Sequence, residues 1–153
     1  SHAVAGKSTL PVLSNVLLAT DGGRLKLAAT NLEVGITHWI GAQVQEEGAV
    51  TVPAKLLADL VGGLPNDKVT ITLDARTQTV KVECGRFVSN IKGIEADEFP
   101  TIPSIADKEP TASLPPDVLR EAIDQVAFAA ASDDSRPVLA GVLVRLRDNR
   151  LFL

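Results

Sequence analysis

The strongest constraint on this chain is that part of it occurs twice. Pro11 to Leu27 reads PVLSNVLLATDGGRLKL and Pro137 to Leu153 reads PVLAGVLVRLRDNRLFL. The two segments align without a gap 126 positions apart, with eight of 17 residues identical. Self-similarity at a fixed period marks a repeated structural unit. A period of 126 residues is too long for a solenoid repeat and matches the size of a whole domain. The 153 residues therefore hold one domain and the beginning of a second copy, where length alone argues for a single domain. Tandem copies of one fold build arrays or rings.

Each copy reads as a β-hairpin. Residues 10–20 are apolar and β-branched and predict a strand; Asp21-Gly22-Gly23 is a turn, and Arg24 to Ala28 alternates polar with apolar. A third strand is expected over 32–41 with Val34, Ile36 and Ile40 inward, and a short fourth over Ala49 to Val52. Pro53 suits a first helical position. Ala54 to Val61 then reads as a helix with Leu56, Leu57, Leu60 and Val61 as its apolar stripe, stopped by Gly62-Gly63. Lys68 to Leu73, Thr79 to Glu83 and Arg86 to Ile91 read as a meander, with Val69, Ile71 and Leu73 alternating inward. From Gly93 to Pro110 the pattern stops, and Pro100, Pro103 and Pro110 mark an acidic linker. Thr111 to Leu114 allows a short strand. Pro115-Pro116-Asp117 opens a helix expected to run to about Ala131, with Leu119, Ala122, Ile123, Val126 and Ala130 on one face. Residues 137–146 and 150–153 read as two strands.

Composition narrows the function. No run of about 18 apolar residues exists, so no membrane-spanning helix is expected. One cysteine, Cys84, excludes a disulfide framework and a multi-cysteine zinc site. The chain contains no methionine, so it is expected not to start at a natural start codon, with Ser1-His2 as a tag scar or processing site. The formal net charge is −4 and is segregated: residues 1–92 carry +1, residues 93–134 carry −8 and residues 135–153 carry +3. That balance argues against indiscriminate nucleic-acid binding and permits local contact with an anion.

Catalytic constellations are sparse. Gly6-Lys7-Ser8 lacks the glycine that a phosphate-binding loop needs five positions earlier, and a proline-containing strand follows where that motif needs a helix. His38 has no second ligand nearby in sequence. Glu46-Glu47 and Asp133-Asp134 are sequence neighbours, as solvated turns commonly are. Arg86 follows Cys84 closely, but no base accompanies the thiol.

Five segments, in order and at consistent spacing, carry a resemblance. They are Thr9 to Leu18, Leu25 to Glu33, Thr51-Val52-Pro53-Ala54-Lys55, Ala96-Asp97-Glu98-Phe99-Pro100, and Asp133 to Leu143. Over essentially all of residues 5–153 the chain resembles the bacterial β sliding clamp family, processivity subunits of the replicative DNA polymerase (DNA polymerase III subunit beta). The resemblance implies an α+β DNA-clamp fold, with antiparallel sheets outside and helices packed on the inner face. It divides the chain into a first clamp domain at 1–92, clipped at its N-terminus, a linker at 93–110, and the truncated start of a second domain at 111–153. It implies a head-to-tail homodimer whose six domains encircle double-stranded DNA, held by topology rather than by base readout. It implies a non-catalytic cytoplasmic subunit with no cofactor and no membrane contact. Its other partners are the replicative polymerase and the clamp loader, which dock through peptide motifs.

Carried over residue by residue, the resemblance places Lys7, Lys55, Arg120 and Arg136 toward DNA. Arg136 and Leu139 fall at the edge of the partner-peptide pocket. Leu57, Leu60, Arg86, Phe87 and Ile91 fall at the dimer junction. Two other classes remain open at this point: a stand-alone protein-interaction module, and a metal-dependent hydrolase built from acidic residues such as Asp97, Glu98, Asp133 and Asp134.

Overall fold

The computed structural model describes residues 10–103, 112–133, 136–148 and 150–153, and the chain divides into two compact units, Ser1–Pro103 and Ser104–Leu153.

In the first unit the proline at the start of the repeat decides the local structure. Pro11–Ser14 is a 3-10 helix, not the expected strand, because proline fixes φ and donates no hydrogen bond to a ladder. Strand β1 (Asn15–Asp21) follows and pairs antiparallel with β2 (Arg24–Thr30). Gly22 and Gly23 both have positive φ, 55° and 72°, which a two-residue hairpin turn requires and glycine adopts freely. Strand β3 (Gly35–Gly41) pairs with β2, and β4 (Ala49–Pro53) pairs with the other side of β1.

Helix α1 (Ala54–Gly62) begins just after Pro53, which closes β4 and sits at the N-cap rather than at the first helical position. Three strands then form a second antiparallel sheet in the order β5 (Val69–Asp74), β6 (Thr79–Cys84), β7 (Phe87–Lys92). The stretch read as linker starts as structure: β8 (Ile94–Glu95) pairs with β4 and completes a five-stranded sheet, β3-β2-β1-β4-β8.

Both sheets and α1 share one core. Leu18, Val50 and Val52 from the first sheet meet Val80, Val82 and Ile91 from the second, and Leu57, Leu60 and Leu64 pack against them. The α1 stripe is therefore narrower than expected, since Leu56 and Val61 are exposed. In β5 only Leu73 reaches this cluster, and Val69 and Ile71 stay exposed. Val34, Ile36 and Ile40 are also exposed, contrary to expectation, because β3 is the outermost strand of its sheet and lies beyond the reach of that core.

In the second unit helix α2 (Pro116–Val126) ends about one turn earlier than expected and passes into a 3-10 turn, Ala127–Ala129. Residues 112–115 form no strand. Leu119 and Ile123 are exposed, and only Ala122 and Val126 of the helix are half-buried. Pro137–Leu139 is again a 3-10 helix, and the hairpin is short: β9 (Arg145–Arg147) and β10 (Arg150–Phe152).

The repeat survives in three dimensions. Asp21↔Arg24, Thr20↔Leu25 and Ala19↔Lys26 in the first unit correspond to Arg147↔Arg150, Leu146↔Leu151 and Arg145↔Phe152 in the second, at the offset seen in the sequence. Asp148 takes the positive φ of Gly22, 51° against 55°.

Two positions in the first unit test these arrangements. A Cβ at position 93 would collide with the Thr51 carbonyl oxygen and lie 2.7 Å from Val50 Cγ2, so Gly93→Ala is expected to lower unfolding free energy by about 1–3 kcal/mol in urea titration. In the β5–β6 turn, the Thr77 hydroxyl and amide, with the Arg76 amide, hold the Asp74 carboxyl below its ordinary value of 3.8. A depressed pKa gives stability that is present above the ordinary carboxylate range and lost as pH falls through the lower, folded value. Asp74→Ala is therefore expected to lower Tm at pH 7, with the gap closing as the melts are taken into the acid limb.

Candidate functional site

The candidate residues fall on three surfaces. Lys55 is exposed on α1, on the side away from Leu57 and Leu60. Arg120 is exposed on α2 among exposed Asp117, Glu121 and Asp124, and Gln125 Nε2 donates to Glu121 Oε1 at 3.5 Å. The described face of α2 is thus acidic overall, with a single basic group. Arg136 and Leu139 are exposed at the start and end of the Pro137–Leu139 turn. That turn is fixed by the Leu139 carbonyl, which accepts from the Ala131 amide at 2.8 Å. The backbone therefore holds this corner of the second unit while leaving both side chains to solvent. Lys7 lies outside the described residues.

The five junction residues separate into two groups. Ile91 is 2% exposed and belongs to the core, and Leu57 and Leu60 pack against that core, so these three side chains hold α1 and β7 in place. Ile91 cannot serve a partner surface as expected, because it is buried beneath its own unit. Phe87 shares the face of Ile91 but lies at the far end of the strand, 55% exposed, and Arg86 is exposed in the turn before it. Beside them β7 leaves one edge unpaired among the described residues. Leu56 and Val61 on α1 and Val88 on β7 are also exposed. Sequence alternation passes over Val88, because it falls on the face opposite Phe87 and Ile91.

The acidic residues fall in different units. Asp97 and Glu98 lie in the 3-10 turn Ala96–Glu98 of the first unit, Asp133 is exposed in the second, and Asp134 is outside the described residues. Among the described residues no three His, Cys, Asp or Glu side chains gather in metal-binding distance. Cys84 is buried, with its Sγ 3.6 Å from the Pro65 carbonyl oxygen, a packing position. No described helix is long and apolar enough to cross a membrane.

Two known domain families account for nearly the whole chain. Residues 1–103 match the DNA polymerase III beta subunit N-terminal domain, and residues 113–153 match the central domain of the same subunit. The chain belongs to the DNA polymerase III beta subunit family. It is 40% identical to the beta sliding clamp of Synechococcus elongatus, with 99% of this chain and 40% of that protein aligned. The crystal structure of the DNA polymerase III subunit beta from Pseudomonas aeruginosa superposes with a TM-score of 0.81 at 36% identity, covering 97% of this chain and 40% of that one. A sliding clamp of the same organism bound to griselimycin gives a TM-score of 0.76 at 37% identity, covering 95% and 39%. The chain thus spans about two fifths of these beta subunits. The α+β clamp fold expected from the sequence is the fold observed.

The split of the junction residues is testable in the chain itself. Phe87→Asp is expected to change unfolding free energy by less than about 0.5 kcal/mol, as an exposed substitution does. Ile91→Asp is expected to abolish the cooperative thermal transition, because it buries an unpaired carboxylate. Comparable melts for the two would place Ile91 outside the core.

Proposed function

We propose that this chain is part of a ring-forming sliding clamp, a DNA polymerase processivity factor that encircles duplex DNA and tethers the replicative polymerase. The observation that carries the reading is a repeated hairpin in a domain whose two sheets each end in a strand with its outer edge unpaired among the described residues. The first sheet of unit one ends in β3 and the second in β7. An unpaired strand presents a row of amide and carbonyl groups that template another strand. Both sheets are open, with β8 and β5 at their other ends; a domain with such edges can join head to tail with its neighbours, and head-to-tail contacts close into a ring where the rotation allows. In this reading Arg86, Phe87 and the β7 edge form the first domain's half of the homodimer junction, with Leu56 and Val61 of α1 beside them.

The chemistry asked of such a protein is physical rather than covalent. A closed ring retains DNA by topology, so individual phosphate contacts stay weak enough to slide. Lys55 and Arg120 on the helices, with Arg136 and Lys7, supply positive groups for those contacts in a chain whose net charge is −4. Arg136 and Leu139 border the pocket that takes peptide motifs from the polymerase and clamp loader. The protein acts in the cytoplasm as a non-catalytic subunit without a cofactor. The metal-dependent hydrolase reading has no geometric support among the described residues.

The test uses the full-length gene product, loaded onto a nicked circular plasmid and washed in high salt. Retention on the circle and release after linearisation are expected. Phe87→Asp in the full-length protein is expected to shift the dimer toward monomer in sedimentation velocity and to reduce retention on the circle by at least tenfold. Equal retention on circular and linear DNA would overturn the ring.

A further inference from the structure

The hairpin repeat places a second type of surface on the chain, on the strand face turned away from the helix-covered core. Alternation puts Val16, Leu18, Leu25 and Leu27 on the core side of the first hairpin. The opposite face carries Asp21, Arg24 and Lys26, and the register sets Trp39 of β3 directly across from Lys26. Trp39 is 39% exposed. Its indole Nε1 donates to Asp21 Oδ2 at 2.7 Å, which fixes the ring. The Arg24 guanidinium lies 5.6 Å and the Lys26 ammonium 5.7 Å from the ring centroid, within cation–π range.

The equivalent face of the second hairpin repeats the theme with different residues. Arg145 stands in register with Phe152, and Arg147 with Arg150. Leu143, Arg145, Arg147, Phe152 and Leu153 line a concavity of about 380 Å³. Arg147 Nε meets Asp148 Oδ2 at 3.2 Å, so that cation is partly answered from its own turn, whereas Asp21 of the first hairpin accepts from the indole. Even so, each face keeps a positive excess beside an exposed aromatic ring. The described face of α2 has the opposite sign.

We propose that these hairpin faces bind single-stranded nucleic acid, with a base stacked on Trp39 and flanking phosphates held by Arg24 and Lys26, and a second such contact at Phe152 with Arg145 and Arg150. Aromatic rings interleaved with cations on a strand face are the groups that hold single strands without reading sequence. The rings decide the ligand class. An acidic peptide would engage the cations and leave Trp39 and Phe152 without a role, and a duplex offers no unstacked base. The proposal does not rest on the ring reading, which concerns duplex DNA and a closed assembly.

Trp39 is the only tryptophan and the chain has no tyrosine, so its emission reports on this face alone. The test titrates the 153-residue chain at low salt with oligothymidylate of about 16 nucleotides, near the upper site size of a single strand-binding domain. Saturable quenching of Trp39 is expected. Arg24→Glu with Lys26→Glu is expected to weaken binding at least tenfold and to flatten the slope of log K against log salt by about 1.4, because two phosphates are no longer neutralised. Arg24 is exposed and Lys26 half-buried, and an unchanged melting temperature shows that the two substitutions leave the fold intact. Trp39→Leu, followed by the anisotropy of a labelled oligonucleotide, is expected to weaken binding while leaving the salt slope in place. Absence of saturable quenching, equal quenching by polyglutamate, or undiminished affinity in the charge-reversed chain would each overturn the proposal. Failure here leaves retention on circular duplex unaffected, and failure of that retention leaves this titration unaffected.

Discussion

Strand β4 joins the two halves of the first unit, and most of the unit's geometry depends on it. Its side chains point alternately into two environments. Val50 and Val52 enter the shared apolar core, while Thr51, fully buried on the other face, bridges two polar groups. Asn15 Nδ2 donates to Thr51 Oγ1 at 2.9 Å, and Thr51 Oγ1 donates to the Ile94 carbonyl at 3.1 Å. This short chain of hydrogen bonds ties the start of β1 to β4 and β4 to β8. Buried polar groups are costly when unpaired, so the three residues specify one register rather than merely tolerating it. Gly93 completes the arrangement by letting the backbone pass against the Thr51 carbonyl as the chain leaves the second sheet and returns to the first.

That return explains how a repeat of only 17 aligned positions organises a domain. The hairpin recurs with the same register and the same proline-led 3-10 turn before it. In the first unit the hairpin is embedded, with β4 on one side of β1 and β3 beyond β2. In the second unit β9 has β10 as its only described partner, and its pairing covers three residues rather than five. The described ladder thus spans five residue pairs in the first hairpin and three in the second. Register is set locally by the turn, and extent is set by tertiary partners.

What is legible in the sequence follows the same division. The glycine turn, the alternation in β2, the α1 helix and the β5–β7 meander are readable because each is fixed by residues near one another in the chain. Pro11 misleads because the β-branched run after it outweighs the one residue that cannot join a ladder. Ile36 and Ile40 mislead because alternation identifies two faces but not whether anything covers either one. Ile91 and Phe87 share a face, and only the packing of Leu18, Val50 and Val52 from the other sheet against one end of it makes one core and leaves the other surface. The pairing of Ile94–Glu95 is hidden in a proline-rich acidic stretch, since two residues cannot show a period. For the site, local motifs carry the family and the individual charges, while the Trp39 cluster needs the β2–β3 register to bring residues 24, 26 and 39 together.

The two faces of the hairpin sheet also show how an acidic chain presents a basic surface. Charge on a sheet or helix acts over about a Debye length, roughly 8 Å at physiological salt, so faces on opposite sides of a unit are electrostatically separate. The core side of the first sheet is apolar and meets α1, and the outer side holds Arg24 and Lys26 around a fixed indole. Net charge sums over surfaces that a ligand never feels together. A value of −4 therefore excludes uniform coating by nucleic acid and says nothing against contact at one face. The weak point of such a face is its own carboxylates. Asp21 is tied to the indole N–H and orients the ring, and Asp148 offsets part of the Arg147 charge, so the cations left over are Arg24, Lys26, Arg145 and Arg150.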